Sequence, residues 1–251
     1  MLRTRPFVPG SRPDGFRPAY FGAGVEIPAH IGPDVQVVIA SRPTKQLAQV
    51  LRETRCPAVE IESDWMSRSA GLEFFAPFAS QLRRLTVESE LVEDLGAIEG
   101  FSELEDLVLT IPCDTLDFSR LRKLRRVGLA RPATLGNLTQ CRTLRDIELA
   151  GVRLTSVREL LPLRRLRSLE LIGVTGLRDL DGIAESRLQR FVIEDLRGLK
   201  SLAGLDALPT LRALEITGCR QIADLDVVGE CRGLKTSSRH RNCRRSTSSR
   251  R

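Results

Sequence analysis

Apolar residues recur along this chain in one fixed spacing, apolar-x-x-apolar-x-apolar. The pattern reads Leu82-Leu85-Val87, Leu104-Leu107-Leu109, Leu124-Val127-Leu129 and Leu144-Ile147-Leu149. It continues as Leu166-Leu169-Leu171, Leu188-Phe191-Ile193 and Leu211-Leu214-Ile216, and Leu234 opens a further copy. Successive copies begin 20 to 23 residues apart. Self-similarity at such a period marks a stacked repeat architecture. Two weaker copies lie upstream. Cys56-Val59-Ile61 fits, and Val37 and Ile39 sit one repeat earlier, with Asp34 where the first apolar residue belongs.

The last two apolar positions of each copy flank a polar one, which predicts a short strand with one buried face. After the strand, apolar residues return three apart, as in Leu177-Leu180-Ile183 and Leu199-Leu202-Leu205. That period suits a 3₁₀ or short helical return, where residues i and i+3 eclipse. In the first repeat the return reads as a true helix over 44–54. Leu47, Val50 and Leu51 form its apolar face, and Pro43 stands at its start. One coil cannot bury its leucines alone. Stacked coils bury them against each other, at about 1.5–3 kcal/mol per large side chain.

On these residues the chain resembles the leucine-rich repeat family over 34–235, most strongly from Leu82 onward. The stretches LELIGVTGLRDLDGI (169–183) and LEITGCRQIADLDVV (214–228) are similar to the bacterial 22–23-residue subtype found in actinobacterial arrays. The resemblance implies an α/β solenoid: a parallel β-sheet on the concave face, with 3₁₀, short helical or irregular convex segments. It also implies a non-catalytic module that binds a protein. The chain departs from the family pattern in one respect. Three residues after the strand, where Asn or Cys is usual, it has Glu90, Pro112, Pro132, Val152, Val174, Leu196 and Cys219. Only Cys219 conforms, so no regular Asn column is expected.

If the strands stack, the residues between the buried ones form columns on the concave face. The candidate ligand-binding residues are Arg84, Asp106, Val108, Arg126, Asp146, Glu148, Glu170, Ile172, Arg190, Val192, Glu194 and Glu215. Strands about 4.8 Å apart would join these side chains into one mixed-charge surface. Val108, Ile172 and Val192 are expected to be exposed there as apolar anchors inside a charged rim. The same columns read equally as neighbouring Arg and Glu that pair and keep the sheet soluble.

Charge changes the picture only once it is divided. The formal net charge is +7, but residues 236–251 carry +6 and residues 1–17 carry +3, which leaves the body at −2. A basic pI therefore comes from the ends. Of 39 basic residues only four are Lys, a skew that suggests a GC-rich, bacterial genome. The N-terminus lacks the apolar core of a secretory signal, and no apolar run is long enough for a membrane span. With six widely spaced Cys read as reduced thiols, a cytoplasmic location is expected.

Catalytic chemistry leaves little trace. The two histidines, His30 and His240, lie in irregular ends, and no nucleophile elbow, phosphate loop or His-Glu-x-x-His motif occurs. Gly22-Ala23-Gly24 lacks the rest of a dinucleotide fingerprint. Cys219, Cys231, His240 and Cys243 are too widely spaced for a structural zinc site, so no metal or cofactor is expected. Trp65, with Leu72, Phe74, Phe75 and Phe78, is expected to thicken the core under the N-terminal coils.

The expected organisation is an irregular lead-in (1–33), degenerate N-terminal repeats or a cap (34–81), regular repeats (82–235) and a basic disordered tail (236–251). Ser237 and Arg239 stand where the next repeat needs apolar residues. The tail reads as a basic arm touching nucleic acid non-specifically, as a native ending that docks on a partner, or as the product of a shifted reading frame. A protein partner of unknown identity is the leading functional expectation, with no membrane contact. A nucleic-acid-associated role through the tail and a detached sensor part of a larger bacterial signalling ATPase are the alternatives.

Overall fold

Each copy of the pattern ends in a strand because its last two apolar residues fall on one face of an extended segment. The computed structural model describes residues 18–21, 37–40, 43–61, 71–88, 90, 92, 94–132, 135–222 and 224–239. Among these, eleven strands form one all-parallel sheet in strict chain order. They are β1 (Pro18–Phe21), β2 (Val37–Ala40), β3 (Ala58–Ile61), β4 (Arg84–Val87), β5 (Asp106–Leu109) and β6 (Arg126–Ala130). The order continues with β7 (Asp146–Ala150), β8 (Ser168–Ile172), β9 (Arg190–Glu194), β10 (Ala213–Thr217) and β11 (Thr236–Arg239).

Register turns the repeat into a spine. Leu85, Leu107, Val127, Ile147, Leu169, Phe191 and Leu214 are successive partners across the ladder. Two residues on, Val87, Leu109, Leu129, Leu149, Leu171, Ile193 and Ile216 form a second row, and both rows are buried. The leading leucines (Leu82, Leu104, Leu124, Leu144 and onward) close the same core, so one continuous apolar cluster runs from β2 to the last coil.

The return segments follow the three-residue period. Leu72–Phe78, Gly96–Gly100, Phe118–Arg120, Leu138–Gln140, Val157–Leu160 and Ile183–Glu185 are 3₁₀ turns. Two returns are α-helical: α1 (Lys45–Thr54) and the short α2 (Asp226–Glu230). Thr44 caps α1 by accepting from the Leu47 N–H at 3.0 Å, and Leu47, Val50 and Leu51 are its buried face. Phe75 and Phe78 are buried beneath the N-terminal coils, with Phe74 edge-on to Phe75 at 5.1 Å. Trp65 lies outside the described residues.

The convex turns have their own device in place of an Asn column. A side-chain oxygen at the start of each turn accepts from the N–H two residues on: Asp94 from Gly96, Asp117 from Ser119, Ser156 from Arg158, Asp179 from Asp181, Ser201 from Ala203 and Asp224 from Asp226. Asn137 fills the gap in this series by accepting from the Phe118 N–H at 2.9 Å and donating to Asp117. Such Asx and Ser turns satisfy donors that a tight return would otherwise leave unpaired.

The ladder also runs past the boundaries expected from side chains. β1 falls inside the irregular lead-in of 1–33 and pairs with β2. β11 falls inside the expected disordered tail, with Ser237 opposite Leu214 and Arg239 opposite Ile216. Backbone N–H and C=O groups make the ladder, so a polar side-chain pattern does not by itself end it. Residues 1–17 and 240–251, with His240 and Cys243, lie outside the described residues, as do His30 and Gly22-Ala23-Gly24.

Candidate functional site

The residue between the two spine positions of each strand must face away from the core, onto the concave side. This central row runs Glu60, Thr86, Val108, Gly128, Glu148, Glu170, Val192, Glu215. On one side of it lies Arg84, Asp106, Arg126, Asp146, Ser168, Arg190, Ala213. On the other lies Ala130, Ala150, Ile172, Glu194, Thr217. All twelve residues singled out from sequence therefore share this face.

Charge on the face is organised strand by strand. Asp106 accepts from the Arg84 Nε–H at 3.1 Å and has Arg126 Nε at 4.0 Å on its other side. It is largely buried, its second oxygen lacks a hydrogen bond, and burial raises its pKa against the pull of both arginines. Farther along, Glu170 accepts from Arg190 at 3.1 Å. Between these pairs stands Glu148, directly opposite Glu170 in register. Two carboxylates facing each other across a ladder repel. Burial first, and Glu170 second, push the Glu148 carboxyl up to about 7, against the attraction of Arg126 and Arg190. Gly128 precedes Glu148 in the row and is itself buried.

Two of the expected apolar anchors are corrected. Val108 and Val192 are only 4% and 5% exposed, and Thr86 beside Val108 is also buried. A short branched side chain on a concave sheet is covered by longer neighbours in the flanking row, here arginines and carboxylates. Ile172 alone of the three stays half-exposed, next to Ala150. The accessible face is therefore polar, with Ile172 at its margin.

Elsewhere the chemistry is structural. The described cysteines, Cys56, Cys113, Cys141, Cys219 and Cys231, are all buried. Burial raises the Cys113 and Cys141 thiols to about 11, and Cys141 donates to the Phe118 carbonyl. Cys219 and Cys231 point their thiols at the carbonyls of Thr217 and Val227. Among the described residues no group of three His, Cys, Asp or Glu side chains is placed to hold a metal, and no helix is long and apolar enough to cross a membrane.

The Glu148 environment predicts a pH dependence. Its folded pKa lies above the unfolded value of 4.5, so between those limits the folded state holds a proton that the unfolded chain has lost. Stability should fall as pH rises from about 4.5 to about 7 and level off above that range. Allowing for solvent at this partly open position, the loss is about 1–2 kcal/mol. Urea unfolding should show Glu148→Gln gaining more on the wild type at about pH 8 than at about pH 5.5, with the gain vanishing near about pH 4.

No protein family and no curated protein sequence matches the chain. Solved structures do. An internalin (inlF) from Listeria monocytogenes str. 4b F2365 matches with a TM-score of 0.55 at 13% identity, over 83% of this chain and 69% of that one. The functional domain of InlJ from Listeria monocytogenes matches with a TM-score of 0.50 at 16% identity, over 79% of this chain and 42% of that one. A chain of the mouse RP105/MD-1 complex matches with a TM-score of 0.50 at 15% identity, over 83% of this chain and 38% of that one. This chain thus spans less than half of the latter two. At such identities the likeness is one of fold.

Proposed function

We propose that this chain, whose fold is the leucine-rich-repeat solenoid, is a non-catalytic module that binds a protein partner across the concave face of β4–β10. The observation that carries this reading is the row centred on Glu148 and Glu170. Two facing carboxylates, one of them held near neutrality, are a costly arrangement for a surface with no partner. A cationic side chain from a partner, set against Glu148 and Glu170, would relieve that repulsion. Arg126 and Arg190 on the flanking row supply register for acceptors on the same partner. The half-exposed Ile172 gives the margin an apolar contact. Support by analogy is coarse: the fold neighbours include one protein solved in a two-protein complex, RP105/MD-1.

The test is reversal of the central charges on the full chain. Proteins captured by crosslinking to the wild type should bind Glu148→Arg/Glu170→Arg at least about tenfold more weakly, which corresponds to about 1.4 kcal/mol. The convex variant Asp179→Arg should leave them unaffected. If every captured partner binds the concave variant as well as the wild type, the concave-face reading is wrong.

A further inference from the structure

The body of the chain is nearly neutral, yet one rim of the solenoid is not. Five residues lead into each strand from β6 to β11: LRKLR (121–125), CRTLR (141–145), LRRLR (163–167), ESRLQ (185–189), LPTLR (208–212) and CRGLK (231–235). The fourth residue of each is the leading leucine of the repeat, turned into the coil. The first is inward too, except for Glu185, which pairs with Arg158 on the convex side at 2.6 Å. The remaining three positions in the six coils hold twelve Arg and Lys and no acid. The chain as a whole has 39 basic and 32 acidic residues, so an even draw would put acids there almost as often as bases.

Backbone bonds stack these residues directly. The Arg145 N–H donates to the Arg125 carbonyl and the Arg167 N–H to the Arg145 carbonyl, each at 2.7 Å. The row continues through Gln189 and Arg212 to Lys235. At about 4.8 Å per strand the strip is roughly 24 Å long, about one cation per 2 Å. At its start the strip is neutralised: Glu103 holds Lys123 and Arg83, and Glu105 lies 3.6 Å from Arg125. Beyond that coil the pairing ends. Arg142, Arg145, Arg164 and Arg165 are exposed and make no ion pair among the described residues.

We propose that this rim binds the phosphate backbone of double-stranded nucleic acid without reading its bases. The strip's charge density is close to that of a duplex, about one phosphate per 1.7 Å of axis. Its outward positions carry no aromatic ring on which single-stranded bases could stack. Their one apolar side chain, the small ring of Pro209, is too little to anchor the rim in a bilayer. An acidic protein segment would need a comparable run of carboxylates along one line, which repels itself. The concave carboxylates Glu148 and Glu170 confine a polyanion to the rim. This reading is independent of the concave-face one and uses different residues.

The test is fluorescence anisotropy of the full chain with a labelled duplex of about 30 base pairs across a salt series. The logarithm of affinity should fall against the logarithm of salt with a slope of about −4 or steeper. In Arg142→Gln/Arg145→Gln/Arg164→Gln/Arg165→Gln the slope should flatten by about 3, with affinity down at least tenfold at about 100 mM salt. The four matching Arg→Lys changes should keep both slope and affinity, and circular-dichroism melting should show all forms folded. Replacing the arginines of 240–251 with Gln should leave most of the slope. The proposal is overturned if the duplex does not bind at low salt, or if only the tail variant loses binding. It is equally overturned if polyglutamate or anionic vesicles bind the rim as tightly as the duplex.

Discussion

Replacing Phe191 with alanine should destabilise the solenoid by about 3–5 kcal/mol. Phe191 is fully buried and stands in the spine row between Leu169 on β8 and Leu214 on β10. Every other member of that row from Leu85 onward is a smaller aliphatic residue, so the ring fills volume that its neighbours were never sized to fill. Truncation removes its transfer free energy and leaves a cavity that two backbone ladders hold open. The companion Phe191→Leu keeps the branched aliphatic character of the row and should cost under about 1.5 kcal/mol. Thermal melting followed by far-ultraviolet circular dichroism separates the two. Equal midpoints for the wild type and the alanine variant would mean that the coils do not share one core.

The second large effect is expected at Gly176. Its φ is +90°, in the region that side chains rarely adopt. A Cβ added there would lie 2.9 Å from the Leu154 carbonyl oxygen of the preceding coil, and that atom is backbone and cannot swing aside. This is also where the two coils are tied outside the main sheet, by a parallel bridge between Arg153 and Thr175 and the Leu154 N–H to Thr175 carbonyl bond at 2.9 Å. Gly176→Ala should therefore cost about 2–3 kcal/mol through strain and a displaced bridge. Gly173→Ala offers the contrast. It also has positive φ, at +58°, but nothing lies within 4 Å of an added Cβ, so only the backbone term of about 1 kcal/mol remains. Denaturant midpoints of the two variants should differ in that order, and the reverse order would refute the steric account.

These predictions place the concave face and the basic rim on a common frame. The spine sets the spacing of the coils, and the spacing sets which charges meet. Arg84 reaches Asp106, and Arg190 reaches Glu170, because each pair stands on neighbouring strands in register. Arg142 finds no such acid, because its equivalents on both adjacent coils, Arg122 and Arg164, are basic, and Arg164 itself lies between Arg142 and Ser186. A surface ion pair contributes little to stability. The arrangement of these charges therefore bears on what the protein meets rather than on how firmly it folds.

Much of this was legible in the chain itself. A period of 20 to 23 residues, with two inward positions two apart, determines a parallel ladder from Leu82 onward. In the first copy the expected phase is one residue out, because Val38 and Ala40, not Val37 and Ile39, partner Val59 and Ile61. The helix over 44–54 and the short three-residue-period returns follow from the same local spacings. The Asp and Ser turns on the convex side were also present as a recurring residue two before a turn N–H, though only their hydrogen bonds give them meaning. Tertiary structure alone decided three things. It extended the ladder to β1, whose segment carries no repeat period, and to β11, since backbone pairing needs no apolar side chain. It buried Val108 and Val192, since exposure on a concave face depends on the reach of neighbours that sequence order keeps some twenty residues away. And it sorted a nearly neutral body into a mixed-charge face and a basic edge, because electrostatic potential depends on which charges lie within a Debye length in space, a quantity that a count along the chain averages out.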